Sequence, residues 1–332
     1  MRADSDLSTI RWHAGALNNG LIFGATYHGV TRLPRVCSYS IGHVGTWLAY
    51  HLMRNGTRAL IENFRVVRSE ATERELKRLA LLTYRCYARD TIDFIRSLAM
   101  NRAQFAPMMA TLEDDRLDEL LSRRRGVIIV GGHFGNWELG GVALRLLKGC
   151  PVVVVGKSEA SAVVGEFRRR MRDSLGIETL EIGQMLETAL RIRRLLAANT
   201  IVAMLLDRHV GRDCIEVSFF GRRTGFLRSP AMVAYLSGAP LLPAFMIRQA
   251  DGRFLGSFGD PVFVDPTKPT EDSVRTATQA VAVQLEHQVR ANPHLWYQFY
   301  PYWRADDASP LIQSSSPHAD LTEMNGPPPP RA

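Results

Sequence analysis

Apolar residues recur along this chain in two rhythms. From about residue 14 to 102 the spacing is helical. Within it, Thr72-Glu73-Arg74-Glu75 reads as a capping box, with Thr72 as the cap and Glu75 reaching back. The stretch after it, Leu76 to Leu98, carries Leu79, Leu82, Tyr84, Cys86, Ile92, Phe94, Ile95 and Leu98 at intervals that predict one amphipathic helix. From about 126 short, continuous apolar runs alternate with helical stretches. Strands are predicted at Val127–Val130, Val152–Val155, Ile201–Leu206, Leu241–Ile247 and Arg253–Phe258, and helices at Trp137–Leu147, Ser161–Leu175, Met185–Ala198 and 271–291. Such runs belong to a largely parallel sheet covered on both faces. Right-handed crossovers then gather the strand C-termini on one edge, where ligands collect. The expected organisation is a flexible start at 1–13, a single α/β domain at 14–304 (a helical part at 14–102, a core at 103–304) and a disordered Ser-, Asp- and Pro-rich tail at 305–332.

Composition narrows the picture. The chain has 332 residues, 46% of them hydrophobic and 22% charged, as in ordinary globular proteins. Its formal net charge of +8 favours anionic partners: phospholipid surfaces, acidic carriers, phosphorylated substrates or nucleic acid. Arginines cluster at Arg168, Arg169, Arg170 and Arg172, and again at Arg191, Arg193 and Arg194. No known nucleic-acid motif and no aromatic–basic interleaving accompanies them, so nucleic acid is not an expected partner. The four cysteines have no metal-binding or redox spacing, and no metal or cofactor is expected. No secretory signal and no transmembrane helix is predicted. The apolar segments Ala14–Val30 and Cys37–Met53 are too polar to span a bilayer and suited to lying on its surface.

The densest chemistry lies at Val127-Ile128-Ile129-Val130-Gly131-Gly132-His133-Phe134-Gly135-Asn136-Trp137-Glu138. A strand ends in two glycines, a histidine follows, and a glutamate comes five residues later where a helix starts. Histidine titrates near neutrality, and a neighbouring carboxylate can fix its tautomer and stabilise the imidazolium. The corner also promises free backbone N–H groups to an anion. It is neither a Walker loop nor a GxGxxG fingerprint, and no Gly-x-Ser-x-Gly elbow exists elsewhere in the chain.

These residues carry a resemblance. His133-Phe134-Gly135-Asn136-Trp137-Glu138 is similar to the His-x4-Asp/Glu signature of the lysophospholipid acyltransferase superfamily, in the form found in its bacterial lipid A biosynthesis (lauroyl/myristoyl) and phosphatidylinositol mannoside acyltransferases. Asp207-Arg208, Ile215-Glu216-Val217, Phe219-Phe220-Gly221, Ser237-Gly238-Ala239-Pro240-Leu241-Leu242-Pro243 and Asn292-Pro293-His294-Leu295-Trp296-Tyr297 resemble later landmarks in family order. His209 and the residues before Trp296 depart from the family pattern. The resemblance implies a glycerolphosphate acyltransferase-like α/β fold and acyl transfer from acyl-CoA or acyl-carrier protein to a hydroxyl of a membrane glycolipid or lipid A-type acceptor. It implies His133 as general base, Glu138 as the group that orients and charge-stabilises it, and Glu216 as a second carboxylate near the same histidine. Arg172, Asn136, Asp207 and Arg208 would contact substrate. The expected setting is the cytoplasmic face of a bacterial inner membrane, held peripherally. A non-catalytic lipid binder and a lysophospholipid acyltransferase are the alternatives.

Overall fold

The structure is a computed structural model. It describes residues 27, 29–111, 115–156, 165–166, 169, 172–182, 185–208 and 213–303. The expected loose ends at 1–13 and 305–332, His209 and the arginines 168 and 170 lie outside the described residues.

After a helical stretch at 29–32, three long helices lead the described residues: α1 (Arg35–Leu52), α2 (Arg54–Val67) and α3 (Glu73–Ser97). The capping box forms as expected, with the Glu75 amide donating to Thr72 Oγ1 and the Thr72 amide to Glu75 Oε2 at 2.8 Å. A short α4 (Arg102–Phe105) and β1 (Met109–Thr111) lead into the core. There α5 (Asp115–Ser122), β2 (Val127–Gly131), α6 (Trp137–Leu146), β3 (Val152–Gly156), β4 (Ile177–Glu181), α7 (Met185–Ala197) and β5 (Ile201–Leu205) follow one another. After them come the hairpin β6 (Ile215–Phe219) and β7 (Arg222–Phe226), then α8 (Ser229–Ser237), β8 (Leu241–Arg248), β9 (Phe254–Phe258) and α9 (Thr270–Ala291).

Seven strands form one sheet in the order β1-β9-β8-β2-β5-β3-β4. β8, β2, β5, β3 and β4 run parallel, β9 is antiparallel to β8, and β1 follows β9. The expected mostly parallel, helix-covered sheet is therefore present. β2 is buried at all five positions, and its residues alternate between two cores. Ile128 and Val130 pack on the side of Val281, Leu285 and Val289 from α9. Val127 and Ile129 pack on the side of Leu139, Val142 and Ala143 from α6. A strand buried on both faces needs apolar side chains at every position, which explains the unbroken Val-Ile-Ile-Val run.

β1, β4 and β7 carry no signal strong enough to read. β1 has three residues, β4 is an edge strand with two buried positions, and β7 is Arg222-Arg223-Thr224-Gly225-Phe226. The β6–β7 turn puts both Phe220 (φ 55°) and Gly221 (φ 71°) in the left-handed region, the pattern of a type I′ hairpin turn. A non-glycine residue there costs on the order of 1–2 kcal/mol. Packing offsets it: Phe220 is buried, Arg290 lies over its ring at 4.6 Å, and its amide donates to Glu286 at 2.6 Å.

A buried ion cluster joins the N-terminal helices to the sheet. Arg248, at the end of β8, reaches Asp90 at 2.6 Å and Asp93 at 2.7 Å, both on α3. Arg35 from α1 takes Asp93 with two bonds, of 2.9 and 2.7 Å. The Tyr39 hydroxyl donates to Asp93 at 2.6 Å and the Tyr297 hydroxyl to Asp90 at 2.7 Å. Burial pushes the Asp90 carboxyl upward, against the pull of Arg248 and Tyr297. Removing one partner of such a cluster leaves a buried charge uncompensated. Arg248→Met is expected to lower stability by about 3–5 kcal/mol at neutral pH. Without the arginine the folded-state value of Asp90 rises further above its unfolded one, so the loss shrinks as pH falls toward the ordinary carboxylate range. Urea unfolding midpoints of the variant and the parent at neutral and acidic pH check both statements.

Candidate active site

Two parallel neighbours build the site. In the β2–β5 register Gly131 sits beside Leu205, so the residues just past each strand end leave the same edge of the sheet. Those residues include His133 and Asp207. The His133 Nδ1 lies 2.7 Å from Asp207 Oδ1, and the His133 amide donates to Asp207 Oδ2 at 2.9 Å. Gly132 leaves room for this approach. A Cβ there would lie 2.7 Å from Leu285 Cδ2 and 3.0 Å from Asp207 Oδ2. Gly135 (φ +60°) makes the reversal into α6, where a Cβ would lie 2.2 Å from the Met246 carbonyl oxygen.

Asp207 is wholly buried, and its acceptor sites are filled. Besides His133, Oδ2 accepts from Gln298 Nε2 at 2.6 Å and from Trp296 Nε1 at 3.3 Å. The Tyr302 hydroxyl donates to the Asp207 carbonyl at 2.7 Å. Gln298 is oriented by Arg208, whose Nε donates to Gln298 Oε1 at 2.9 Å. A guanidinium cannot accept, so the amide nitrogen of Gln298 faces Asp207. Burial raises the Asp207 carboxyl, but His133, Arg208 and the donated hydrogen bonds outweigh it and hold the group below the ordinary carboxylate value. The ionised carboxylate accepts Nδ1–H, which places the imidazole lone pair on Nε2. Nε2 has no hydrogen-bond partner among the described residues, and the His133 side chain is 20% exposed. Burial pushes the His133 value below that of ordinary histidine; Asp207 pulls it up and Arg208 pushes it further down. Trp137 meets the ring edge to face at 5.2 Å.

The other sequence-predicted residues fall into different places. Glu138 makes no hydrogen bond or ion pair with His133. It sits in the first turn of α6, turned toward Arg172, which binds it through Nη2 at 2.5 Å and Nε at 3.3 Å. Both side chains are mostly buried, and Arg172 Nη1 also reaches Thr179 Oγ1 at 3.5 Å. The charge of Glu138 still favours a protonated His133, through space. Glu216 likewise makes no hydrogen bond or ion pair with the histidine. Alternation along β6 turns Ile215, Val217 and Phe219 inward and Glu216 outward, half exposed and paired with Arg223 at 3.4 Å. Asn136 is buried as the N-cap of α6. Its Oδ1 accepts from the Leu139 amide at 3.2 Å and its Nδ2 donates to the Asp90 carbonyl at 3.0 Å, so both ends of the amide are committed to the fold. Asp207, expected to meet substrate, is instead closed off beneath His133. Arg208 binds Gln298 and the Tyr297 carbonyl.

The expected free amides at the corner are largely taken. The amides of His133, Phe134, Gly135 and Asn136 donate to Asp207, Gly132, Leu295 and Met246 respectively. Those of Trp137 and Glu138, at the start of α6, have no partner among the described residues. Sequence reasoning missed Gln298 and Tyr302, and gave Trp296 no role. Their signal was the density of ring side chains with polar ends in Trp296-Tyr297-Gln298-Phe299-Tyr300-Pro301-Tyr302-Trp303, since buried Trp and Tyr need partners for N–H and O–H. Among the described residues no group of three or more His, Cys, Asp or Glu side chains is placed to hold a metal ion.

Residues 16–305 match the family described as bacterial lipid A biosynthesis acyltransferase. The chain is 27% identical over 234 residues to a phosphatidylinositol mannoside acyltransferase of Mycolicibacterium smegmatis, covering 70% of this chain and 73% of that one. It is 29% identical over 194 residues to a protein of the same name from Mycobacterium tuberculosis, covering 58% and 59%. The chain belongs to the bacterial lipid A biosynthesis acyltransferase family.

Proposed function

We propose that this acyltransferase moves a fatty acyl chain from an acyl thioester to a hydroxyl of a membrane glycolipid, with His133 as general base. The observation that carries the reading is the His133–Asp207 pair, an imidazole with Nδ1–H fixed on a buried carboxylate and an Nε2 without a partner among the described residues. Nε2 takes the proton from the acceptor hydroxyl as its oxygen attacks the thioester carbonyl carbon. Asp207 holds the tautomer and stabilises the imidazolium. The tetrahedral intermediate then collapses, the C–S bond breaks, and the imidazolium returns the proton to the leaving thiolate. The products are an ester and a free thiol. No covalent enzyme intermediate is needed.

Arg172 and the amides of Trp137 and Glu138 are the donors we assign to the anionic parts of the reaction, the oxyanion and the substrate phosphates. Glu138 keeps Arg172 in place and partly neutralised, so its effect on His133 is indirect. The donor is carried on coenzyme A or acyl-carrier protein. The mycobacterial relatives, named as phosphatidylinositol mannoside acyltransferases, favour a mannosylated phosphatidylinositol or a related anionic glycolipid as acceptor. Because the relatives' substrate is a membrane glycolipid, we place the reaction at a membrane surface, on the cytoplasmic face where acyl thioesters are made. No helix among the described residues is long and apolar enough to cross a membrane.

Incubation of the purified protein with acyl-CoA or acyl-carrier protein and a panel of acceptors (mannosylated phosphatidylinositols, lipid A precursors, lysophospholipids), read by mass spectrometry, should give a new ester. In His133→Ala its rate should fall by roughly 10²–10⁴. An equal rate in the variant would remove His133 from the mechanism. A second expectation concerns protonation. His133 should titrate below the ordinary histidine value, and Asp207→Asn, which removes the charge pulling it upward, should lower it further. NMR titration of imidazole-labelled protein checks the direction; an upward shift in the variant would contradict it. Because the folded value lies below the unfolded one, His133 also subtracts stability as pH falls below the unfolded value.

A further inference from the structure

Helix α1 is amphipathic in the reverse sense to a water-facing helix. Several of its polar groups face inward, while Ser40, His43 and His51 are exposed. Ser38 and Thr46 are buried, Tyr39 donates to Asp93, and Arg35 grips the same carboxylate with two bonds. Gly42 lets the helix lie close on α3, where a Cβ would come to 3.0 Å of Ile92 Cδ1. The outward face carries Val36, Ile41, Val44, Trp47, Leu48 and Leu52, with Val36 74% and Leu52 77% exposed. At a helical period these positions fall on one side of the helix from Val36 to Leu52, a stripe about 24 Å long at 1.5 Å per residue. Helices in water place such a stripe inward. The rotation of α1 is not loose, because Arg35 and Tyr39 are pinned to a carboxylate that is itself fully buried. An apolar face of this extent held outward marks a contact with something apolar.

Charge identifies the partner. α1 contains no Asp or Glu. Arg32 precedes it, and Arg54 and Arg58 follow it. All three are exposed, and none has an ion-pair partner among the described residues. Trp47 sits within the stripe and stacks edgewise on His51 at 4.8 Å, the kind of ring that favours the headgroup boundary. An apolar stripe flanked by free arginines fits an anionic lipid surface and gives no reason for specific pairing with a protein. The helix is not long and apolar enough to cross a bilayer, so it fits lying in the plane. We propose that α1 docks this protein on anionic membranes by lying along the interface, with the Val36–Leu52 stripe among the acyl chains and Arg32, Arg54 and Arg58 at the headgroups. The inference deepens the acyltransferase reading by naming the surface through which the enzyme meets its lipid.

The test uses the full chain without acyl donor, mixed with vesicles of phosphatidylglycerol and phosphatidylcholine or of phosphatidylcholine alone, and read by co-sedimentation. The unchanged protein should bind the anionic vesicles in a salt-sensitive way. Val44→Glu/Leu48→Glu should weaken that binding by at least about tenfold, and Arg54→Ala/Arg58→Ala should weaken it on anionic vesicles only. Both positions of the first variant are exposed, so its urea midpoint should stay that of the parent. A polarity-sensitive dye on Cys37, which is exposed on the same helix, should shift to the blue on vesicle addition in a Cys150→Ser/Cys214→Ser background. Vesicle binding indifferent to Val44→Glu/Leu48→Glu, with the dye unmoved, would overturn the proposal. So would a dimer in solution that this variant dissolves, because the stripe would then join two copies. Turnover is followed separately. Vesicle binding as described with no acyl transfer to any acceptor counts against the acyltransferase reading and leaves the α1 surface standing.

Discussion

Everything at the C-terminal edge of the sheet is arranged around the Asp207 carboxylate. A wholly buried carboxylate is costly unless it is paired and hydrogen-bonded. Here His133 supplies both its ring and its backbone N–H, and Gln298 and Trp296 supply two more donors. Meeting that demand fixes much of the architecture. β2 and β5 must be neighbours, Gly132 must lack a side chain, and the segment after α9 must return across the strand ends to deliver Trp296, Gln298 and Tyr302. The result is a histidine held in one tautomer, with Nε2 unpartnered among the described residues, a state suited to receiving a proton.

A second buried charge cluster stabilises the frame on which this rests. Asp90, Asp93, Arg248 and Arg35 tie α1 and α3 to β8. The two clusters meet at Tyr297, whose hydroxyl donates to Asp90 and whose amide donates to the His133 carbonyl at 2.8 Å. The N-terminal helices are thus part of the frame that holds the corner. The same cluster orients α1 with its apolar stripe outward, so one set of ionic bonds serves both the proposed base and the proposed membrane contact.

Much of the fold was legible because the physics was local. The unbroken Val-Ile-Ile-Val run, the Gly-Gly-His corner and the Thr72–Glu75 box each depend on neighbours a few residues away. The carboxylate partner of His133 was not legible, because it depends on strand order. β3 follows β2 in the chain, yet β5 lies beside it in the sheet. The sequence therefore offered Glu138, five residues away, where the structure offers Asp207, seventy-four residues away. Asn136 looked like a contact residue because it lies in the motif, and its role in capping α6 emerges only with its partners at Leu139 and Asp90. Glu216 turned outward for the simplest reason, the two-residue period of a strand. The inverted face of α1 was hidden because apolar spacing reveals a helix without saying which side its neighbours cover.

The account rests on Asp207, not Glu138, being the carboxylate that acts through His133. A double-mutant cycle on kcat/KM for acyl transfer tests it most directly. Two groups that act as a unit lose little more when both are removed than when one is, whereas independent groups lose additively. The account predicts that Asp207→Asn adds almost nothing to the loss caused by His133→Ala, while Glu138→Gln adds nearly its full separate effect. Additive losses for Asp207 with His133, and non-additive losses for Glu138 with His133, would contradict it.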